Sequence, residues 1–209
     1  MKRILIIDDH DVLREGVKRI FDKQPETPIF GEASTGPEAA RLVREQDWDV
    51  VLLDISLGER NGLDVLRELK QIRPRLPVLI LSMHSGEQFA RRAFKAGAKG
   101  YITKNSSRAE LVTAVEKVIS GGRYVDAAIA EKFIFDLDIP SGFLHETLSD
   151  REFEVLRLMA TGKTVSEIAS ILLLSESTIS TYRGRILEKM GMKTNAELIH
   201  YAIRNKLVG

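Results

Sequence analysis

The sequence predicts two domains of different class, an α/β unit followed by an all-α unit, and three observations carry that reading. Over residues 1–120, five short apolar runs alternate with amphipathic stretches; after residue 148, four helical stretches follow one another with no strand between them. Residues 121–147, broken by Pro140 and Ser141-Gly142, separate the two patterns as a linker. A chain of 209 residues is long enough to bury a core on each side of it.

The first apolar run, 4–7, is rich in β-branched residues and reads as a strand. A helix follows over 12–21, with Val12, Leu13, Gly16, Val17, Ile20 and Phe21 on one face. The pattern recurs as strand 29–33 and helix 37–43, strand 50–53 and helix 63–72, strand 78–81 and helix 87–96, strand 100–102 and helix 107–120. Short, nearly all-apolar strands joined through helices predict a doubly wound parallel sheet buried on both faces. Gly121-Gly122 ends the fifth helix, and the linker, with isolated apolar residues such as Phe133, Ile134 and Phe135, has room for one short helix. The second domain, 148–209, is predicted as helices at 149–161, 164–172, 175–190 and 195–205. Ser107 with Glu110, Ser149 with Glu152 and Thr194 with Glu197 have the spacing of capping boxes.

Composition excludes several classes. There is no cysteine, hence no disulfide, thiolate nucleophile or Cys-ligated zinc. The apolar run behind Lys2-Arg3 is too short for an export signal, and nothing approaches the roughly 20 residues of a membrane helix, so a cytoplasmic protein without a membrane partner is expected. With a net charge of +1 and no strongly basic segment, bulk charge does not establish nucleic-acid binding.

In an open parallel sheet the working crevice lies beyond the carboxyl ends of the strands. There the sequence places Asp8-Asp9, Asp54, Ser82 and Thr103-Lys104. Three carboxylates at one edge repel each other and call for a cation, and an oxygen-rich set suits Mg²⁺. Asp54 would then attack a phosphoryl group as a carboxylate nucleophile, with Lys104 and Ser82 meeting phosphoryl oxygens. Asp8-Asp9 alone would also serve as a helix N-cap, and Asp54 alone as a turn residue. The convergence of polar residues on four strand ends is what points to chemistry.

These residues, with Asp54-Ile-Ser-Leu-Gly-Glu-Arg-Asn-Gly62, Leu81-Ser82 and Ala98-Lys-Gly-Tyr-Ile-Thr-Lys104, resemble the receiver domain of two-component response regulators, a flavodoxin-like (βα)5 fold, over about residues 1–120. The resemblance implies that a sensor histidine kinase phosphorylates Asp54. It implies Mg²⁺ held by Asp9, Asp54 and the backbone carbonyl of Ser56, helped by Asp8 through water, and a switch pair made of Ser82 and Tyr101. Gly58 stands where many relatives have proline, which implies a looser loop. Ser56 and His84 occupy positions that tune acyl-phosphate hydrolysis in relatives, although His84 also suits a plain polar loop residue.

In the second domain, residues 165–186 read as two helices around a short turn at Leu174 and Ser175, closed by Ile168, Leu172, Leu174, Ile179 and Tyr182 with small Ala169 at the crossing. The free face of the second helix offers Ser177, Thr178, Ser180, Thr181, Arg183, Arg185 and Lys189, which suits a groove-inserted helix and equally an ordinary solvated face. The wider string, Leu148-Ser-Asp-Arg-Glu-Phe-Glu-Val-Leu156, Glu167-Ile-Ala169, Thr178-Ile179 and Ile186 to Met190, resembles the LuxR-type helix-turn-helix. Together the two resemblances identify a NarL/FixJ-type architecture. They imply a structural Glu152, a recognition helix at 175–190, double-stranded promoter DNA as partner and a homodimer when phosphorylated. Ser180 stands where relatives often carry a basic residue. Ala196, Ile199, Ala202 and Ile203 form a stripe on the last helix that fits core, dimer surface or both. The expected protein is a regulator and not an enzyme. A phosphohydrolase would also use Asp54 covalently, but Asp54-Ile55-Ser56 lacks a carboxylate two residues on for a general acid. A helical domain that binds protein instead of DNA is the other alternative.

Overall fold

A computed structural model describes the chain apart from residues 23, 25–26, 58–59, 84–86, 128, 131–142, 206 and 209. It divides into two compact units, Met1–Leu137 and Asp138–Gly209.

In the first unit, β1 (Arg3–Ile7), α1 (Asp11–Phe21), β2 (Ile29–Ala33), α2 (Gly36–Glu45) and β3 (Val50–Asp54) lead into a short antiparallel pair, β4 (Ser56–Leu57) and β5 (Arg60–Asn61). Then come α3 (Gly62–Ile72), β6 (Val78–Ser82), α4 (Glu87–Lys95), β7 (Gly100–Thr103), α5 (Arg108–Ile119) and β8 (Tyr124–Val125). The main sheet runs β2-β1-β3-β6-β7-β8, parallel throughout. Its central strands are apolar because both faces are covered. Ile4, Ile6, Val50, Leu52, Leu79, Leu81 and Ile102 on one face meet Val17 and Phe21 of α1 and Leu111, Ala114, Val115 and Val118 of α5. Val12, expected on the inward face of α1, is instead 86% exposed. Close approach fixes Gly31: a Cβ there would stand 2.2 Å from the buried ring of Trp48, whose indole N–H donates to the Leu42 carbonyl at 3.1 Å.

One boundary differs from the sequence expectation. Tyr124 and Val125, assigned to a linker, extend the sheet by a sixth strand beside β7, in register Gly100↔Tyr124 and Tyr101↔Val125. Gly121, at φ +88°, turns the chain back from α5, so the Gly-Gly pair that reads as the end of a domain is a tight return into it. A helical turn starts at Ala127, and Ile129 is buried. Gly58, His84, Phe133, Ile134, Phe135, Pro140 and Ser141-Gly142, singled out from the sequence, lie outside the described residues.

Among its described residues the second unit holds a 3₁₀ turn, Leu144–Thr147, and four helices: α6 (Asp150–Ala160), α7 (Val165–Leu172), α8 (Glu176–Met190) and α9 (Asn195–Arg204). The three expected capping boxes all form, with a fourth at Thr164 and Glu167. Each closes two backbone N–H groups that a helix start leaves open. Phe153, Leu156, Ile168, Ile179, Ile186 and Leu198 make the core, with Ala169 at the α7–α8 crossing, while Leu174 and Tyr182 are half-buried. Leu173 turns between α7 and α8 in the left-handed region, φ 54° and ψ 42°, an unfavourable conformation for a residue with a Cβ. On α9 the predicted stripe splits: Ala202 is in the core, whereas Ile203 is 58% exposed and Ala196 is exposed.

Candidate functional site

The change of direction in the strand order falls between β1 and β3, where an open parallel sheet leaves a crevice at its carboxyl edge. Asp8 and Asp9 follow β1 there and Asp54 closes β3. Asp8 and Asp54 are 0% and 1% exposed, inverting the usual rule that carboxylates face water. Helix capping does not explain the Asp pair, because the N-cap of α1 is His10, whose side chain makes no capping bond.

Lys104 holds the cluster together. Its Nζ lies 2.9 Å from Asp8 Oδ2 and 2.8 Å from Asp54 Oδ2. Its backbone N–H donates to the Ser82 carbonyl at 2.7 Å, which ties the loop after β7 to the end of β6. Burial alone would pull the Lys104 ammonium down, but Asp54 and Asp8 more than offset this and hold it above its ordinary value. Asp54 shows the complementary result: burial pushes its carboxyl up, and Lys104 only partly opposes the push. Asp54 Oδ1 accepts the Ser56 N–H at 3.1 Å. Oδ2, although paired with Lys104, is buried and receives no directional hydrogen bond among the described residues, and the same is true of Asp9 Oδ1.

Those two oxygens, each beside a nitrogen but without a well-aligned hydrogen bond, test the fit of a metal. One ligand atom each from Asp8, Asp9, Asp54 and His10 gathers within 4.8 Å. A single lysine does not neutralise three carboxylates, and a hard divalent cation would supply the missing positive charge to oxygens that are still open to coordination. The donor set therefore fits Mg²⁺, with His10 as a nitrogen at the mouth, 3.1 Å from Asp8 Oδ1 and 2.9 Å from Asp9 Oδ1.

Most of the predicted residues meet here. Ser82 is buried and pairs in register with Thr103, beside Lys104. Tyr101 is on the same strand as Thr103 and is fully buried. Three participants were not foreseen. His10 could have been suspected from its place behind Asp8-Asp9. Arg14 donates to the Asp8 carbonyl at 2.6 Å and to Glu32 at 3.0 Å, a contact with no local signal. Gly62 lies so close to the Asp54 carbonyl that a Cβ would stand 2.0 Å from it.

On the helical unit, α8 exposes Ser177, Ser180, Thr181 and Arg185, with Thr178 and Arg183 half-buried. Ser175 caps the helix by accepting the Thr178 N–H at 3.1 Å, and its hydroxyl also bonds those of Ser177 and Thr178. Lys189, expected on the DNA-facing side, is engaged elsewhere: its Nζ donates to Glu152 Oε2 at 2.7 Å. Glu152 is buried, and burial works to raise its carboxyl, but Lys189 and the Ser149 N–H more than offset this and hold it low. Its structural role is thus visible. Among the described residues, no helix is long and apolar enough to cross a membrane.

A family model described as the response regulator receiver domain matches residues 4–116, and one described as bacterial regulatory proteins, luxR family, matches residues 146–202. The chain is 33% identical to the response regulator UvrY of Escherichia coli strain K12, over 99% of this chain and 96% of that protein. It is likewise 33% identical to the response regulator GacA of Pseudomonas aeruginosa, over 100% and 98%. Among solved structures it resembles a LuxR-family two-component response regulator from Aurantimonas sp. SI85-9A1, at 39% identity and a TM-score of 0.61, over 64% of this chain and 96% of that one.

Proposed function

The chain belongs to the response regulators that join a receiver to a luxR-family DNA-binding domain, and from that premise we propose that phosphorylation of Asp54 by a sensor histidine kinase controls dimerisation and binding to promoter DNA. The observation that carries the reading is Asp54 itself: a buried carboxylate at a strand end, one oxygen 2.8 Å from Lys104 yet without a directional hydrogen bond.

The chemistry follows from the charges. One carboxylate oxygen of Asp54 forms a bond to phosphorus as the P–N bond of a phosphohistidine breaks, and the imidazole keeps the electron pair. Asp8, Asp9, Asp54 and the Ser56 carbonyl would hold Mg²⁺, which supplies positive charge against the phosphoryl oxygens. Lys104 exchanges its contact with Asp54 for one with a phosphoryl oxygen, and the buried Ser82 donates to another. The fully buried Tyr101, one strand over, completes the switch pair. In the second unit, Ser177, Thr178, Ser180 and Thr181 approach phosphates from the N-terminal half of α8, and Arg183 and Arg185 read bases. With so few cations, tight binding requires two copies on paired half-sites. Exposed Ile203 offers a second copy an apolar contact.

Light scattering and binding to a fragment of the gene's own upstream DNA, in Mg²⁺ with and without beryllofluoride, test this. A dimer and tighter DNA binding are expected with beryllofluoride in the wild type and not in Asp54→Asn. Unchanged mass and DNA affinity in the wild type would overturn the proposal.

A further inference from the structure

The loop that carries Lys104 is held from two sides. From β6, the Ser82 carbonyl accepts the Lys104 N–H at 2.7 Å. From the other side comes Asp126, which directly follows β8. Its two oxygens straddle the loop: Oδ2 accepts the Thr103 N–H at 3.0 Å and Oδ1 accepts the Ser106 hydroxyl at 3.4 Å. Thr103 and Ser106 are themselves joined through their hydroxyls at 3.0 Å. Lys104 therefore sits inside a turn whose two ends are bonded to one carboxylate.

Asp126 also begins the segment after β8, which precedes the second unit along the chain. Its carbonyl accepts the N–H of Ile129 at 3.0 Å and of Ala130 at 2.8 Å, and Ile129 is buried. The side chain faces the Lys104 loop while the main chain starts the exit segment, meaning the residues that follow β8. Acceptors of this kind fix the direction of a charged side chain without touching its ligand.

We propose that Asp126 is a positioning residue for Lys104, and that through it the exit segment is coupled to occupancy of the phosphoryl pocket. The inference rests on the phosphorylation reading above. Coupling of this kind is reciprocal: if the bound pocket prefers one setting of the 103–106 turn, it stabilises the exit segment bonded to that turn, and an intact exit tightens the pocket.

The test is calorimetric titration of the full chain with Mg²⁺ and then with beryllofluoride, for wild type, Asp126→Ala and Asp126→Asn. Mg²⁺ would be held by the acidic residues and not by Lys104, so its affinity should stay within twofold in all three. Beryllofluoride should bind five- to tenfold more weakly to Asp126→Ala. Asp126→Asn, which keeps an acceptor for Thr103, should recover most of the loss. Hydrogen exchange in the 124–130 peptide should slow on beryllofluoride binding in the wild type and not in Asp126→Ala. Equal beryllofluoride affinity in wild type and Asp126→Ala, or parallel loss of Mg²⁺ and beryllofluoride binding, would overturn the positioning role. No ligand-dependent protection of that peptide in the wild type would overturn the coupling. A wild type that fails to bind beryllofluoride in Mg²⁺ would instead remove the phosphorylation reading, and this inference with it.

Discussion

In the receiver, Asp54 is 1% exposed and burial raises its carboxyl above the ordinary value despite Lys104, whereas in the helical unit Glu167 is held down to about 2 by the Thr164 N–H and Lys163. The fold uses one functional group in opposite senses. At Ser149, Thr164 and Thr194 the ionised glutamate three residues on completes a capping box, so charge and structure favour each other. At the carboxyl edge of the sheet, among the described residues, Asp8 and Asp54 share one lysine while Asp9 meets only His10, and Asp54 Oδ2 and Asp9 Oδ1 lack a well-aligned hydrogen bond. Geometry, and not residue type, separates a carboxylate that stabilises from one that awaits a ligand.

The largest contrast should appear when Mg²⁺ is added. At a hundredfold excess over its dissociation constant, an ion that binds only the folded state adds about 2.7 kcal/mol. Trp48, the one tryptophan, is buried in the receiver, so its fluorescence during urea unfolding reports that unit. Its midpoint should rise in the wild type and hardly move in Asp9→Asn. A shift of equal size in that variant would mean the acidic cluster is not where the ion acts.

In the helical unit the largest loss should come from Glu152→Ala. That substitution opens the capping box at Ser149 and strips Lys189 of its partner, and together these should cost about 2 kcal/mol. Far-UV circular dichroism during urea unfolding measures it, and Trp48 emission should be unchanged at low denaturant. A cost below about 0.5 kcal/mol would mean that neither the capping box nor the Lys189 pair of Glu152 stabilises the unit.

The same contrast explains what the sequence could and could not reveal. β1 and β3 announce themselves because strands buried on both faces are unbroken apolar runs, and the pocket follows because parallel strands deliver their ends to one edge. Capping boxes are legible because both partners lie within one turn. β8 is not, since two residues behind Gly121-Gly122 look like a turn until β7 supplies hydrogen bonds. Arg14 on the Asp8 carbonyl, Asp126 on the Thr103 N–H and Lys189 on Glu152 are invisible for a similar reason. Their partners are remote in sequence or belong to the backbone, and periodicity carries no information about either.

A smaller effect, of opposite sign to Glu152→Ala, is expected from Asp54→Asn in metal-free buffer. A carboxyl raised by the fold costs stability once ionised, and the cost grows as pH rises from the ordinary 3.8 through the raised value. At neutral pH the amide should therefore stabilise the receiver by roughly 1 kcal/mol, read as a higher Trp48 midpoint. Destabilisation would mean that the Lys104 pair outweighs burial.

The smallest effect is the pH dependence that sets the two units against each other. Glu167 is lowered, so its contribution is complete above 4.5 and is lost as pH falls towards about 2. Glu167→Gln should be slightly less stable than wild type at pH 7, and the gap should narrow by pH 3.5, because the wild-type carboxyl is then largely protonated in the unfolded chain while still ionised in the fold, so folding must release that proton. Asp54→Asn should converge on wild type over the same descent from the other side, because Asp54 becomes neutral in the fold and the amide no longer relieves any charge. One variant thus approaches the wild type from below and the other from above, and urea midpoints at the two pH values, read by circular dichroism for Glu167→Gln and by Trp48 for Asp54→Asn, distinguish them. Convergence from the same side would mean that the two carboxylates do the same work, and the division between capping and ligand-awaiting groups would fall.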